Sequence, residues 1–418
     1  MEFKINVSKF LSALAPVIDV ATKNTVKDFE SAFMVSVSAY NDEISLVSHG
    51  GNACIQKNLM NSKIDSLNYE CISEGEAVVE ANKLMITLSS FPPNKDVTIS
   101  INAQKAGDNN LGEMEVVCDD TEMQSLPVSK NNLSMPTLAK TFATELKTNR
   151  EIFISGMQKV NFSVGIEEYR PKYLCQVFDA STDGVRFIAG NGARFAINEI
   201  TGKGIVSVDK KQRIIFPKNN ISNIISSLKA ASSETIILKE GEATKDNSDQ
   251  IIIEFDDTTL IILGIDVNIK KEYADVDRIL SYNHPYQFKI DINEWIYPTK
   301  GARATYSEEI KRDNLVHNAE IEVSTKKDKF IVKSDTNMKS KRTVKVETLS
   351  SGDDDKVLLR CNSLFLAEMV NQGYDSGSIT MRFIDKDKPI VVDYPELVDG
   401  IKDTTEKYSI FFTTAKKK

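Results

Sequence analysis

The sequence predicts an α+β protein built from three similar units in tandem, each with two helices packed on antiparallel strands. The start FKINV at Phe3 returns as FKIDI at Phe288, about 285 residues later. A helix-start marker recurs at Asn82, Asn219 and Asn362. Its spacing of about 140 residues is close to one third of the 418-residue chain. Such a period is the signature of repeated structural units.

Composition sets the limits on size and class. Hydrophobic residues make up 41% and charged residues 27% of the chain, which is ordinary for a soluble protein of two or three domains. No apolar run approaches the roughly 20 residues of a membrane helix, and the first residues lack the apolar stretch of a signal peptide. We therefore expect a cytoplasmic protein with no membrane partner.

Cysteine, histidine and charge exclude several function classes. The five cysteines and three histidines are scattered without a CxxC pair, so reduced thiols are expected and a metal site is not. No paired-carboxylate or triad spacing is present, and no cofactor is expected. The net charge of −8 argues against a surface that binds nucleic acid everywhere, but it allows a local basic surface.

The first unit begins with a strand that leads into an amphipathic helix over 8–23. Phe10, Leu14 and Val17 recur there at helical spacing, and Pro16 should kink or shorten the helix. Asn82 is a candidate N-cap for the second helix, over 82–89. Strands are predicted over 32–39, 43–47, 97–101 and 113–118.

The second and third units repeat this order. In the second unit we predict helices over 149–164 and 219–230, and strands over 173–179, 184–189, 194–199, 235–239, 250–255 and 260–264. In the third unit we predict helices over 293–306 and 362–372, and strands over 319–324, 329–334, 343–347, 378–383, 390–394 and 408–413.

Polar segments mark the boundaries between units. Residues 127–140 are rich in Ser, Asn, Pro and Lys, and His284-Pro285 marks the other boundary. The predicted division is a first domain over 1–127, a linker over 128–140, a second domain over 141–283, a third over 284–414 and a disordered basic tail over 415–418. Antiparallel strands would leave open edges at both ends, so a head-to-tail interface that closes into a ring is expected.

Several strings resemble the bacterial DNA polymerase III beta subunit, the sliding clamp. The stretch IAGNGARFA from Ile188 is similar to the family's V-A-T-D-G-H-R-L-A string, and DVDRIL from Asp275 to its P-D-Y-R-R-V-L string. The order and spacing of these strings cover nearly the whole chain. Gly190 and Ala193 depart from the usual Thr and His, and the chain lacks the usual M-P-M-R-L ending, so a divergent member is expected.

The resemblance implies three tandem DNA-clamp domains, two chains forming a six-domain ring, and helices that line the ring around duplex DNA. Such a ring is a non-catalytic processivity factor with DNA polymerase, clamp loader and other peptide-bearing proteins as partners. Phosphate-directed side chains would bind DNA without reading its sequence. The expected DNA-binding residues are Lys9, Lys23, Lys27, Lys83, Lys159, Arg170, Lys172, Tyr173, Lys218, Lys300, Arg303 and Arg360. Ordinary solvated helix faces, and a core position for Tyr173, are the alternative interpretation.

The resemblance also implies a pocket for partner peptides and a dimer interface. The expected pocket residues are Leu174, Gly190, Ala193, Phe195, Arg278, Ile279, Pro389, Val391, Ser409 and Phe411. Several of them could equally be core residues, since alternating strand positions usually are. The expected interface joins an edge strand over 113–118 to the third unit, with Met114, Val116 and Tyr306 as its apolar core.

Two other functions are open at this point. Gly190-Asn191-Gly192 could suggest a phosphate loop of an enzyme, but it lacks the GxGxxG spacing and is more typical of a tight turn. A clamp-like interaction protein of a phage or mobile element, without polymerase tethering, is the second. The altered pocket and the loops over 107–112, 242–248 and 353–355 favour it.

Overall fold

The computed structural model confirms a mixed α+β architecture with antiparallel sheets. It describes residues 1–22, 33–65, 67–102, 111–119, 122–130, 133–167, 170–241, 250–263, 269, 273, 275–304, 318–335, 339–362, 365–366, 376–398 and 404–414. The predicted tail over 415–418, and most of the helix predicted over 362–372, lie outside these residues. So do 107–110 and 242–248 of the predicted loops.

The first part of the chain alternates strands with two helices. Its elements are β1 Glu2–Asn6, α1 Val7–Thr22, β2 Met34–Ala39, β3 Glu43–Gly50, β4 Ala53–Met60, β5 Glu70–Ser73, β6 Gly75–Glu80, α2 Ala81–Ser89, β7 Asp96–Asn102, β8 Glu113–Cys118, β9 Glu122–Pro127 and β10 Phe142–Asn149.

The middle part follows without a break. Its elements are α3 Arg150–Asn161, a 3-10 turn Pro171–Tyr173, β11 Cys175–Ser181, β12 Gly184–Gly190, β13 Arg194–Gly202, β14 Val206–Ser207, β15 Gln212–Pro217, α4 Lys218–Lys229, β16 Thr235–Gly241, β17 Gln250–Phe255 and β18 Thr258–Leu263.

The last part is mostly strand. Its elements are α5 Val276–Leu280, β19 Tyr286–Asp291, α6 Ile292–Ala304, β20 Asn318–Ser324, a 3-10 turn Thr325–Lys327, β21 Lys329–Asp335, β22 Lys339–Lys345, β23 Glu347–Ser350, β24 Lys356–Asn362, β25 Ser378–Phe383, β26 Ile390–Asp393, β27 Leu397–Val398 and β28 Thr404–Phe412.

The chain divides into two compact units. Unit 1 contains residues 1–154 and 216–267, and unit 2 contains 155–215 and 268–418. In unit 1 one sheet has the order β5-β1-β7-β8-β9, and the strands β10-β16-β17-β18-β4-β3-β2-β6 follow one another in a second. In unit 2 a large sheet runs β15-β11-β12-β13-β28-β26-β25-β19-β23, and a smaller one runs β22-β21-β20-β24.

Helix starts differ from the prediction for a physical reason. Asn82 is not an N-cap, because Glu80 holds that position with extended backbone and no side-chain cap hydrogen bond. Glu80 pairs with Met34 as the last residue of β6, so the strand continues directly into the helix and no capping residue intervenes. In α1 the helix continues through Pro16 to Thr22, so the proline does not shorten it.

Candidate functional site

Strand pairing brings two distant segments of unit 2 together. Arg194–Gly202 pairs with Thr404–Phe412 along all nine positions, with Phe195 opposite Phe411. Because successive side chains alternate between faces, one sheet face carries Phe411 and Ser409, and the other carries Tyr408. The Tyr408 hydroxyl donates to the Lys159 carbonyl oxygen at 3.0 Å, so this other face contacts α3.

The first face carries an aromatic cluster, here defined as Tyr173, Phe195, Tyr273 and Phe411. The Phe195 and Phe411 rings stack with centroids 4.8 Å apart and an interplanar angle of 18°. Tyr173 and Tyr273 meet the Phe195 ring edge-on, at 5.7 and 6.3 Å. Stacked and edge-on rings each add stabilisation beyond their buried area, so the cluster is a well-packed apolar centre.

The predicted pocket residues differ in burial: some belong to the hydrophobic core, and others lie around it. Phe195, Val391 and Phe411 are buried in one hydrophobic cluster, and Ile279 packs on it half-buried. Gly190 is buried and Arg278 is exposed. Leu174, Ala193, Pro389 and Ser409 are half-buried. Tyr173 is not a strand residue as predicted, because Pro171 starts a 3-10 turn that ends at Tyr173, and β11 begins at Cys175.

Gly190, one of the departures from the family string, packs directly against Phe195. A Cβ atom at Gly190 would lie 2.2 Å from the Phe195 ring, which is far inside van der Waals contact. The phenylalanine ring therefore occupies the space that any side chain at position 190 would need. The glycine and the phenylalanine form one packing unit, and a substitution of the glycine alone would displace the ring.

Arg194, the arginine of the same string, is held inside unit 2. Its guanidinium lies 5.2 Å from the Phe162 ring centroid and 4.9 Å from the Phe365 ring centroid, and it donates to the Phe162 carbonyl oxygen. Burial lowers the pKa of Arg194 to about 10, so the group stays charged at neutral pH. The Arg194 guanidinium therefore makes cation–π contacts with both rings.

Helix α5 is fixed to the strands beneath it by charge. The Asp275 carboxylate accepts from the Arg278 backbone N–H at its N-terminus. Asp277 is 2.6 Å from the Arg186 guanidinium, and this hydrogen bond lowers the pKa of Asp277. Helix α5 carries Val276 and Ile279 to the hydrophobic cluster. The ion pair between Asp277 and Arg186 therefore holds these two side chains beside the cluster.

A groove of about 390 Å³ adjoins Ser409. Within it Asp393 accepts from Arg382 Nε and from the Ser409 hydroxyl, both at 2.6 Å. Arg382 Nη1 contacts the Leu280 carbonyl oxygen at 3.1 Å and His284 Nδ1 at 3.2 Å. A guanidinium can only donate, so Nδ1 accepts and His284 is neutral. Burial, and then the Arg382 charge, lower the pKa of His284.

Three of the predicted basic residues of unit 1 lie on its helices. Lys9 is half-buried on α1, and Lys218 is half-buried at the start of α4. Lys83 is exposed on α2 and forms an ion pair with Glu80 at 2.7 Å. Lys23 and Lys27 lie outside the described residues.

In unit 2 most predicted basic residues have acidic or aromatic neighbours. Lys159 pairs with Glu406, Arg170 is 3.7 Å from Glu167, and Arg360 is 2.9 Å from Glu320. The Lys172 ammonium lies 5.4 Å from the Tyr173 ring centroid. Lys300 and Arg303 belong to α6, but their side chains lie outside the described part of the chain. The packing of Tyr173 in the aromatic cluster matches the core alternative for that residue.

The predicted interface residues take different positions. Met114 and Val116 are fully buried in the single chain, because alternate residues of β8 point into unit 1. This strand is not an edge, since β7 pairs with one side and β9 with the other. Among the described residues β9 is the outer strand, and its Met123 is 58% exposed. Tyr306 lies outside the described residues.

Comparisons with known proteins identify the fold. No protein-family model and no curated protein matches the chain. A DNA polymerase III subunit beta from Pseudomonas aeruginosa matches with a TM-score of 0.77 and 14% identity, over 100% of both chains. A DNA polymerase sliding clamp from Caulobacter crescentus matches with a TM-score of 0.75 and 15% identity, over 100% of both chains. The chain thus has the fold of the DNA polymerase III beta sliding clamps.

Another match is a P. aeruginosa sliding clamp bound to griselimycin, with a TM-score of 0.77 and 13% identity over 100% of both chains. No helix formed by the described residues is long and apolar enough to cross a membrane.

The neutral His284 makes stability depend on pH. Its folded pKa lies below the ordinary 6.5, so the unfolded chain binds the proton more readily. Its contribution is complete above pH 6.5 and is lost as the pH falls from there toward the folded pKa, by up to about 1.4 kcal/mol per pH unit. In His284→Gln the free energy of unfolding should fall less steeply, as measured by denaturant titration between about pH 8 and 5.

The amide oxygen of the glutamine can still accept from Arg382, so His284→Gln keeps the hydrogen bond while removing the titration. Equal pH slopes for the wild-type chain and this variant would show that His284 does not carry the effect.

Proposed function

We propose that this chain is a DNA polymerase processivity factor, a homodimeric ring that encircles duplex DNA and tethers polymerase through short peptides. The observation that carries the proposal is the full-length fold match to sliding clamps. In this proposal the chain has no catalytic role. Its partners are double-stranded DNA, a replicative polymerase, a clamp loader and other proteins with clamp-binding peptides.

The helix charges of unit 1 support sequence-independent DNA contact. Helices α2 and α4 contain three lysines and no acidic residue, although the whole chain has a net charge of −8. Their exposed positions include Asn82, Asn219 and Ser222, which are neutral hydrogen-bonding groups. Lysines and amides can contact phosphates without reading base edges, and a ring that slides needs this property.

The aromatic cluster of unit 2 supports the tethering proposal. Phe195 and Phe411 provide a rigid floor, and Ile279 and Leu280 are half-buried hydrophobic residues beside it. Bulky side chains of a peptide can pack on such a surface, and the polar groups of Ser409 and Arg382 lie next to it. Because phenylalanine side chains fill this surface, we expect this chain to have its own peptide preference.

We also propose the three-domain division, with domains over 1–127, 141–283 and 284–414 and a linker over 128–140. The repeated strand-to-helix start supports it, since β1 leads into α1 and β19 leads into α6 in the same way. Two chains would then supply the six domains of the proposed ring.

Retention on circular and linear DNA tests the ring. Loaded on closed-circular plasmid, the protein should remain bound at high salt, because a topological link does not depend on phosphate contacts. Cutting the plasmid once should release it. The measurement is the fraction of protein that co-elutes with DNA in gel filtration before and after the cut.

The uncut plasmid treated with inactive nuclease is the matched control. Equal release from both forms would contradict encirclement and would favour a clamp-like interaction protein without a tethering role.

Peptide docking can be tested at Ile279. Ile279→Glu should weaken binding of a short fluorescent peptide with adjacent Leu and Phe residues by roughly tenfold or more, because a carboxylate would be placed beside the aromatic cluster. The measurement is fluorescence anisotropy. Ile166→Glu, at a side chain that is 76% exposed in the same unit, is the matched control and should bind normally. Equal affinity for the two variants would contradict docking here.

A further inference from the structure

A row of charges crosses the large sheet of unit 2 beside the aromatic cluster. Arg186 on β12 lies opposite Glu199 on β13, and Glu199 lies opposite Lys407 on β28. Glu199 is exposed on the same sheet face as Phe195, because the two residues are four positions apart on one strand. The row therefore lies on the candidate docking face, roughly 13 Å along the strand from Phe195.

The cations on either side of Glu199 are bonded to other carboxylates. The Arg186 guanidinium is 2.6 Å from Asp277 on α5. The Lys407 ammonium is 3.4 Å from Glu396. The ion pairs among the described residues include none with Glu199, so its carboxylate is the uncompensated charge of the row.

Glu199 also lines the groove of about 390 Å³ in unit 2. The charged groups of that groove are three carboxylates and two cations, those of Glu199, Asp393, Glu396, Arg382 and Lys407. Arg382 Nε donates to Asp393 at 2.6 Å, and Lys407 pairs with Glu396. The groove therefore has one negative charge more than its cations neutralise, and that charge is on Glu199.

The groove is continuous with the candidate docking surface. Ile197 belongs to the hydrophobic cluster and Leu280 packs against it, and both also line the groove. An extended peptide advances about 3.3 Å per residue. A peptide whose bulky side chain packs on Phe195 can therefore place a long side chain, two to four residues away, beside Glu199.

The chemistry of the carboxylate determines which side chain is favoured there. A carboxylate accepts hydrogen bonds, and the ammonium of lysine and the guanidinium of arginine donate them. An acidic side chain in the same position would meet like charge and would be rejected. The groove thus discriminates between peptides by charge, while the aromatic cluster supplies the apolar contacts.

We infer that Glu199 selects, among peptides that dock on the aromatic cluster, those with a lysine or arginine two to four residues from the docked side chains. The inference rests on the proposed peptide tethering and adds the residue that sets a charge preference. Because Glu199 is exposed, one ion pair should strengthen binding by about two- to fivefold. Repulsion of an acidic residue should widen the difference between basic and acidic peptides.

A charge swap tests the inference on the full chain. The probes are fluorescent peptides with adjacent Leu and Phe residues and a single Lys, Gln or Glu placed two, three or four residues before or after that pair. For the wild-type chain at least one position should give a Lys peptide that binds about fivefold or more tightly than its Glu counterpart. In Glu199→Gln this ratio should fall toward one, and in Glu199→Lys it should reverse.

The measurement is fluorescence anisotropy at low salt and at roughly 0.5 M salt, where screening should reduce the wild-type ratio. Circular dichroism verifies that each variant is folded. Glu347→Gln is the matched control, since it makes the same charge change at an exposed glutamate on β23, at the end of the same sheet. This control should keep the wild-type ratio.

Two outcomes would overturn the inference. If the wild-type chain binds the Lys, Gln and Glu peptides equally, or if Glu199→Gln keeps the wild-type ratio, Glu199 does not select the peptide, and binding of the Gln peptides leaves the proposed tethering intact. If the wild-type chain binds none of the peptides, the inference and the proposed tethering fail together.

Discussion

The antiparallel pairing of Arg194–Gly202 with Thr404–Phe412 is the contact on which unit 2 depends. It joins strands about 200 residues apart, so its formation closes a long loop and costs considerable chain entropy. Side chains on both faces offset that cost. On one face Glu406 pairs with Lys159, and on the other Phe195 stacks on Phe411. Without this pairing the candidate docking surface would not exist.

The same pairing explains why the surface has its particular shape. The Phe195 ring fills the space beside Gly190, and Arg194 is committed to two aromatic rings on the other side. Arg194 and Phe195 are neighbours on β13, and they therefore stabilise the packing on both faces of the sheet. The ion pair between Arg186 and Asp277 then holds helix α5 beside these strands, so the candidate docking surface and the stability of unit 2 depend on the same contacts.

Local patterns predicted much of the fold and less of the site. The bounds of β8, β17 and β25 agree with the prediction, because alternating apolar residues and turn signals define short strands well. At Asn82 and Asn219 the helix marker indicated the right segments but the wrong caps, since in both cases a strand runs directly into the helix. Asn362 is the last residue of β24. Strand β4 was not predicted, and the strand that leads into α3, β10, was predicted without bounds, because polar residues break the apolar alternation of both.

Site residues that depend on long-range pairing could not be placed from sequence. Strand β8 is an inner strand and not the predicted edge because it also pairs with β9, and β9 itself was not predicted. His284 lies 98 residues before Arg382 and meets Arg382 and Asp393 only in the folded unit. The repeat and the family strings nevertheless indicated the sliding-clamp fold, which the solved structures confirm at 14–15% identity.

The most direct measurement of the central claim is primer-extension product length on primed circular DNA, under conditions that allow one polymerase binding event. With the replicative polymerase and clamp loader of the same cell, adding this chain should lengthen the products several-fold, because a tether prevents dissociation more effectively than contact alone. Products of equal length with and without the chain would contradict its role as a processivity factor.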